Sequence, residues 1–203
     1  SLSLAHLAIG DTHILRAEHD EALRHMDAAL ELDPLDLGLG MNRGDFLIMA
    51  GRYDAAVEQL ERTLELEPGF APARFRLAHA QALAGRFEAA ARELDGMVPE
   101  GQQAKWLETA ALVHALAGHA ARARSALAEL VALAEAQYVS PWLLARSCAA
   151  AGEADACVHW LDRCFDERTG SVIFLAVSPA FEPVRDDPRF RTCLSRLGLG
   201  RTG

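Results

Sequence analysis

The stretch AGRYDAAVEQLERTLELEP, residues 50–68, decides the fold of this chain. Its first part recurs without gaps as AGRFEAAAREL at 84–94, and AEHDEALRHM at 17–26 aligns with both copies. Similarity of a chain to itself at a fixed period of about 20–50 residues is typical of repeat proteins. Four glycines recur at a nearly constant interval along the chain: Gly51, Gly85, Gly118 and Gly152.

The chemistry of this repeat predicts two helices joined by a tight turn. A glycine can adopt the left-handed backbone conformation that closes the C-terminus of a helix, because it has no Cβ to clash. Pro34 and Pro68 have no amide hydrogen to donate, so the second helix should end before each of them. The second helix should bury a face of apolar residues at helical spacing: Tyr53, Ala56, Val57, Leu60 and Leu64.

Composition narrows the class of function. The 203 residues are 51% apolar but only 6% aromatic, which favours helices packed through small side chains. A formal net charge of −9 argues against a nucleic acid or an anionic membrane as partner. We find no apolar run long enough to span a membrane and no basic segment that would begin a signal peptide at the N-terminus. We therefore expect a cytoplasmic protein with reduced thiols.

The repeated residues resemble the tetratricopeptide repeat, a helix–turn–helix unit of about 34 residues. The turn glycines match the position of the family's glycine, and Ala22, Ala56, Ala90, Ala123 and Cys157 match its small residue in the second helix. The resemblance implies an all-α fold, a right-handed α-solenoid of about five repeats with a C-terminal capping helix. The expected solenoid spans 1–171 and a capping segment spans 172–203. The expected repeats are approximately 3–36, 37–70, 71–103, 104–137 and 138–171.

The segment 172–203 has a different character from the repeats. Asp187 followed by Pro188 is typical of a helix start, and Phe190, Cys193, Leu194 and Leu197 then form one apolar face that ends at Gly198. We expect this helix to cover the end of the solenoid. The string FEPVRDDPRFRTCLSRLGL also resembles the ending of tetratricopeptide regions in bacterial signalling proteins, among them winged-helix regulators, adenylate-cyclase-like enzymes and protein kinases. This resemblance implies a bacterial protein and a natural C-terminus.

Two other places depart from the repeat pattern. The string MVPEGQQA at 97–104 should shorten the second helix of repeat 3, because of Pro99 and Gly101. The first repeat opens with Leu4, Leu7 and Ile9 and has no capping helix before it. These apolar residues indicate either an absent neighbour, such as further repeats, an output domain or a dimer contact, or simple exposure at a frayed end.

The resemblance also implies a binding groove lined by the first helix of each pair. In this register an apolar line runs beside a charge gradient, acidic in repeats 1–2 and basic in repeat 5. The predicted partner is therefore a protein or peptide with apolar anchors and with basic residues toward repeats 1–2. The predicted groove residues are Leu7, Asp11, Met41, Asn42, Asp45, Phe75, Arg76, His79, Glu108, Leu112, Trp142 and Arg146.

The groove interpretation has one alternative, and one known type of groove does not match it. Met41, Phe75 and Trp142 could instead pack between neighbouring first helices, since apolar residues at helical spacing are more often core than site. The groove also lacks the full set of residues that the family uses to clamp chaperone C-termini. Asn42 and Arg76 match that set, but Leu7, Asp11 and Pro72 replace its other members, and Asp11 would repel a carboxylate.

No catalytic or metal-binding constellation emerges from the sequence, and no cofactor is predicted. Cys148, Cys157 and Cys164 fall on core positions of repeat 5, and the spacings of common metal sites are absent. We expect a non-enzymatic scaffold for protein–protein interaction, as the C-terminal module of a larger bacterial protein. The alternative is a regulatory or dimerisation module of a signalling or transcription protein with an upstream output domain. A homodimer is compatible with both.

Overall fold

The computed structural model describes residues 1–95 and 101–198, and this described part contains helices and turns but no strand. The predicted all-α fold is therefore confirmed. Residues 170–184 form two 3₁₀ helices, Gly170–Ala176 and Pro179–Val184. The α-helices are Leu2–Leu15 (α1), His19–Leu32 (α2), Leu37–Met49 (α3), Tyr53–Leu66 (α4), Ala71–Leu83 (α5), Phe87–Asp95 (α6), Gln103–Leu116 (α7), Ala120–Ala136 (α8), Pro141–Ala150 (α9), Ala154–Asp166 (α10) and Pro188–Arg196 (α11).

The chain divides into two compact units, Ser1–Gly96 and Met97–Gly203. In the first unit, α1 pairs with α2, α3 with α4 and α5 with α6. Each new pair also stacks on the one before it, since α3 packs against α2 and α5 packs against α4. In the second unit α7 pairs with α8 and α9 pairs with α10, and α9 stacks on α7 and α8. These pairs are helix–turn–helix units of the kind that the repeat predicts, while the boundaries given above for the solenoid and its repeats stay a prediction.

The turns inside the pairs have the predicted geometry. The four turn glycines have φ angles between +71° and +78°, the left-handed region where a side chain is unfavourable. Open space surrounds the place where a Cβ would stand on each of them, so the backbone conformation alone explains the glycine. In the first pair Ala17 occupies this place with a φ of +58°, and it carries the strain that glycine avoids elsewhere.

Small side chains hold the paired helices together, as predicted. The five small residues that match the repeat are completely buried: Ala22, Ala56, Ala90, Ala123 and Cys157. On α4 the predicted apolar face is inside as well, with Val57 and Leu60 fully buried and Tyr53 and Leu64 half-buried. Because these side chains are small, the two helices of each pair can approach each other closely.

Glycines in the middle of the first helices also set the packing distance, a feature that the sequence reasoning missed. A Cβ on Gly44 would lie 2.7 Å from two side-chain carbons of Leu60, and one on Gly10 would lie 2.9 Å from the ring of Phe46. Both distances are shorter than carbon atoms tolerate. These two glycines therefore allow α3 to approach α4 and the Phe46 ring to lie on α1.

The C-terminal segment packs on α9 and α10 within the second unit. The second 3₁₀ helix contacts α9, and α11 contacts α10. Asp187 caps α11 by accepting a hydrogen bond from the backbone amide of Arg189 at 2.8 Å, which confirms the predicted helix start. The ring of Phe181 lies 5.1 Å from that of Trp142 and 5.6 Å from that of Phe190, so the segment adds an aromatic cluster to the core. The predicted break at Pro99 lies outside the described residues.

Candidate functional site

The first unit presents a mixed polar and apolar surface along α1, α3 and α5. The regular period of the repeat puts equivalent side chains side by side, because α1 packs against α3 and α3 against α5. Six of the predicted groove residues lie here with their side chains half-buried, and we call them the groove face: Leu7, Asp11, Met41, Asn42, Asp45 and Arg76.

Asp11 is the most unusual group on the groove face. Burial raises the pKa of its carboxyl above the ordinary value of 3.8, because a charge is less stable away from water. Among the residues that the structure describes, Asp11 has no ion-pair partner. A half-buried carboxylate without a compensating charge is a candidate for binding a cationic group.

Asp45, which was predicted to add to the acidic end of the groove, is neutralised inside the protein. The Nε of Arg76 on α5 lies 2.6 Å and 2.8 Å from the two carboxylate oxygens of Asp45 on α3. Both side chains are about three-quarters covered, which makes this pair less screened than a surface ion pair. The pair ties α3 to α5, so Asp11 supplies the net negative charge of the groove face.

The other six predicted groove residues are buried. Phe75 is 1% exposed and Trp142 is 8% exposed, the latter against Phe181 of the second 3₁₀ helix. This burial favours the alternative in which Phe75 and Trp142 pack between helices. The six buried residues are Phe75, His79, Glu108, Leu112, Trp142 and Arg146.

Glu108 is the centre of a buried ionic cluster in the second unit. Its carboxylate is fully buried and lies 2.6 Å from the Nζ of Lys105 and 2.7 Å from an Nη of Arg146. Two cations around one anion satisfy the charge that burial would otherwise make costly. The predicted basic character of repeat 5 is thus partly compensated by Glu108. Lys105 was not among the predicted residues, although its position one turn before Glu108 on the same helix is a readable signal.

The thiols have the properties of core residues. Burial raises the pKa of Cys148 and of Cys164 to about 12, with smaller contributions from the nearby Glu153 and Glu167 respectively. Such thiols stay protonated at neutral pH and are poor nucleophiles and poor metal ligands. Within residues 1–95 and 101–198, no group of three or more His, Cys, Asp or Glu side chains could hold a metal ion.

Two family models, both described as tetratricopeptide repeat, match residues 7–69 and 47–112, so that together they cover more than half of the chain. No protein with a curated description matches it. In the described part, none of the helices has the length and apolar character needed to cross a membrane.

Solved structures with the same fold include PilW, a type IV pilus biogenesis factor, with a TM-score of 0.56, 15% identity and coverage of 97% of this chain and 93% of that one. The MamA protein matches with a TM-score of 0.52 and 18% identity, over 83% of this chain and 93% of that one. A tetratricopeptide repeat protein from Parabacteroides merdae matches with a TM-score of 0.51 and 13% identity, over 99% of this chain and 80% of that one. At these identities the likeness shows the fold alone.

Proposed function

Because the chain belongs to the tetratricopeptide-repeat family, whose repeats form interaction modules, we propose that it binds a peptide segment of another protein on the groove face. The observation that carries the proposal is the half-buried carboxylate of Asp11 beside apolar side chains of the same surface. The proposed role includes no catalysis and no cofactor.

The groove face offers three kinds of contact. Leu7 and Met41 occupy equivalent places on neighbouring helices and provide apolar surface for an anchor side chain. Asp11 provides a carboxylate for a Lys or Arg of the peptide. Asn42 has an amide that can both donate to and accept from a peptide backbone. A peptide with one or two apolar anchors near a basic residue fits this combination best.

In this proposal the six buried groove residues stabilise the helices and do not contact the peptide. Phe75 and Trp142 fix the positions of the helices instead of touching the peptide. The proposal consequently moves the peptide toward repeats 1–2, where five of the six half-buried residues are.

The experiment is a screen of short synthetic peptides that carry two leucines and one arginine at varied spacing, followed by fluorescence anisotropy on the best binder. We expect Asp11→Asn to weaken binding by about tenfold or more, since a hydrogen bond to a charged group contributes about 1.5–3 kcal/mol. Asp33→Asn is the matched control, because it removes an exposed carboxylate outside the groove face. Equal affinities of Asp11→Asn and the unchanged chain would exclude Asp11 from the site.

The pH dependence provides an independent check. The ionised form of Asp11 attracts the cation, so affinity should fall as the pH is lowered through the raised pKa of this carboxyl. In Asp11→Asn this part of the pH dependence should disappear.

The resemblance of the C-terminal sequence to bacterial signalling proteins supports a second proposal, a regulatory or dimerisation module in the cytoplasm of a bacterium. It predicts that the state of a linked output domain changes when the groove face is occupied. Light scattering on the chain with and without the best peptide tests this second proposal, since a dimerisation module should change between the mass of one chain and the mass of two when the peptide binds.

A further inference from the structure

A cleft lies between the first and the second helix pair of the first unit, and we call it the interpair cleft. It is formed by the end of α2 and the turn after it, the start of α3, and the C-terminal half of α4. Its volume is about 200 Å³. The uncharged residues that line it are Leu30, Pro34, Gly40, Gln59, Thr63 and Leu66.

The interpair cleft depends on a glycine that the other helix pairs do not have. A Cβ on Gly40 would stand 2.6 Å from the Oγ1 of Thr63, and both residues are buried at the base of the cleft. Any larger side chain would therefore take up space there. The residues at the equivalent position of the other pairs are all larger: His6, Arg74, Leu107 and Pro141. The cleft is thus a property of the second pair and not of the repeat.

Apolar side chains are exposed at and beside this cleft. Leu66, which lines it, is 50% exposed, and Leu32 and Leu35, which neighbour lining residues in the chain, are 51% and 71% exposed. The exposure of Leu66 is not that of a terminal helix pair, because α4 belongs to the middle pair of its unit and packs against both α3 and α5. A group of exposed apolar side chains among polar ones is typical of a binding surface.

Negative charge is concentrated in the two stretches that form the cleft, 30–36 and 59–67. They contain six carboxylates and one guanidinium, that of Arg62, which gives a net charge of −5 out of −9 for the whole chain. In the part of the chain that the structure describes, no ion pair involves any of these seven groups. A cationic partner is therefore favoured, and a second copy of this acidic chain is disfavoured. The six carboxylates belong to Glu31, Asp33, Asp36, Glu61, Glu65 and Glu67.

The volume of the cleft selects the kind of ligand. Sites for small molecules have volumes of about 300–1,000 Å³, so a cleft of about 200 Å³ is suited to one amino-acid side chain. We propose that the interpair cleft binds one large apolar side chain of a partner protein, in a segment with Lys or Arg on both sides of that anchor. This site is separate from the groove face, because α2 and α4 contribute no residue to the groove face.

The probe is the end-blocked peptide Lys-Lys-Leu-Lys-Lys, titrated into the isotope-labelled chain and followed by NMR. We expect saturable shifts of the amide signals of Gly40, Thr63 and Leu66. Replacing the central leucine by alanine should weaken binding by about tenfold, because most of the apolar surface that the cleft buries is then lost. Added salt should also weaken binding, since it screens the carboxylates.

Leu66→Gln is the variant that tests the cleft itself. It should weaken binding of the peptide by about fivefold or more, because an amide replaces the aliphatic wall. Leu116→Gln is the matched control, since Leu116 is 40% exposed at the end of α7 in the second unit, and it should leave the affinity unchanged. Asp11→Asn should leave it unchanged as well. An unaltered circular dichroism spectrum of Leu66→Gln would show that the fold is intact.

Four results would overturn the proposal. The first is the absence of saturable shifts, and the second is equal affinity of the alanine peptide, since charge alone would then explain binding. The third is an affinity that responds to Asp11→Asn and not to Leu66→Gln, which would place the peptide on the groove face. The fourth is a mass of two chains in light scattering that Leu66→Gln reduces to one, since a second copy would then be the occupant. Failure of this site leaves the groove face untouched, because its test depends on Asp11.

Discussion

Ala17 is the one residue other than glycine at the left-handed position of the five turns inside the helix pairs. Its φ of +58° is left-handed, whereas the other four pairs have glycine at this place. We expect Ala17→Gly to raise the free energy of unfolding by about 0.5–1 kcal/mol, because glycine removes the clash of Cβ with the backbone. Urea unfolding followed by circular dichroism would measure the change.

Gly51→Ala is the reciprocal variant. No atom lies within 4 Å of the added Cβ, so its cost comes from the backbone alone and should be about 1 kcal/mol. If Ala17→Gly lowers the stability, the left-handed turn of the first pair contributes no strain.

The raised pKa of Asp11 should affect the stability of the chain as well as its binding of a peptide. The folded pKa of its carboxyl is raised, so the folded chain binds more protons than the unfolded chain above pH 3.8. The stability associated with the protonated form is present below that pH and is lost as the pH rises through the folded pKa. At pH 7 we therefore expect Asp11→Asn to unfold at a slightly higher temperature, by about 1–2 °C, since half-exposure screens the charge.

The measurement is thermal unfolding of Asp11→Asn and of the unchanged chain at pH 7 and at pH 3.5. The difference between their midpoints should be smaller at pH 3.5. Asp33→Asn serves as control, because its carboxylate is exposed. Lower stability of Asp11→Asn at pH 7 would mean that the carboxylate is compensated in the folded chain.

At the scale of the helix, glycine within α3 is a packing device. A Cβ at position 44 would stand 2.7 Å from Leu60, so Gly44→Ala should destabilise the first unit by about 1–3 kcal/mol through overpacking. The control is Gly38→Ala on the same helix. The nearest atom to its added Cβ is the Oδ1 of Asp36 at 3.1 Å, which caps α3 by accepting from the Leu39 amide at 2.9 Å and must shift by only a few tenths of an ångström.

Gly38→Ala should change the free energy of unfolding by less than about 1 kcal/mol, because the higher helix propensity of alanine offsets a slight shift of the Asp36 cap. Urea unfolding of both variants decides the matter. A similar effect of the two substitutions would show that propensity, and not contact with Leu60, governs position 44.

The helices and turns could be predicted from sequence because one or two residues determine each of them. Gly51 and Pro68 bound their helix through backbone geometry alone, and Asp187 with Pro188 starts α11 for the same reason. Exposure of the groove residues could not be predicted in this way, since it depends on elements distant in sequence. Trp142 is covered by Phe181, which comes from a segment with no counterpart in the repeat.

At the scale of the whole molecule, the surface has a series of exposed ion pairs, whereas the core of the second unit has buried, neutral thiols. Ion pairs between successive pairs recur in register: Asp20 with Arg52, and Asp54 with Arg86 at 2.7 Å. In the second unit Arg189 continues the series by contacting Asp155 at 2.6 Å. These exposed pairs each contribute little to stability, but their repetition favours one stacking register over others. The core of the second unit is uncharged instead: its apolar cluster contains all four cysteines as neutral thiols.

These thiols predict how the stability of the whole chain responds to alkaline pH. The folded pKa of Cys148 and of Cys164 is about 12, raised by burial from an ordinary value of 9. Above pH 9 the unfolded chain releases these protons while the folded chain keeps them. The stability they contribute is therefore complete below pH 9 and is lost as the pH rises toward 12. Each thiol should lower the free energy of unfolding by up to roughly 1.4 kcal/mol per pH unit.

The sequence makes this effect measurable, because few other groups titrate in the same range. Lys105 is the only lysine, and the two tyrosines are Tyr53 and Tyr138. Desolvation, together with the charge of Glu167 and a hydrogen bond to it, raises the pKa of the Tyr138 phenol, so Tyr138→Phe is the necessary background. In the Tyr138→Phe background, urea unfolding at pH 8, 9.5 and 10.5 should show that the free energy of unfolding falls steeply with pH. Cys148→Ala should reduce this slope by the contribution of one thiol. Equal stability at pH 8 and 10.5 would mean that the thiols ionise as readily in the folded chain as in the unfolded one.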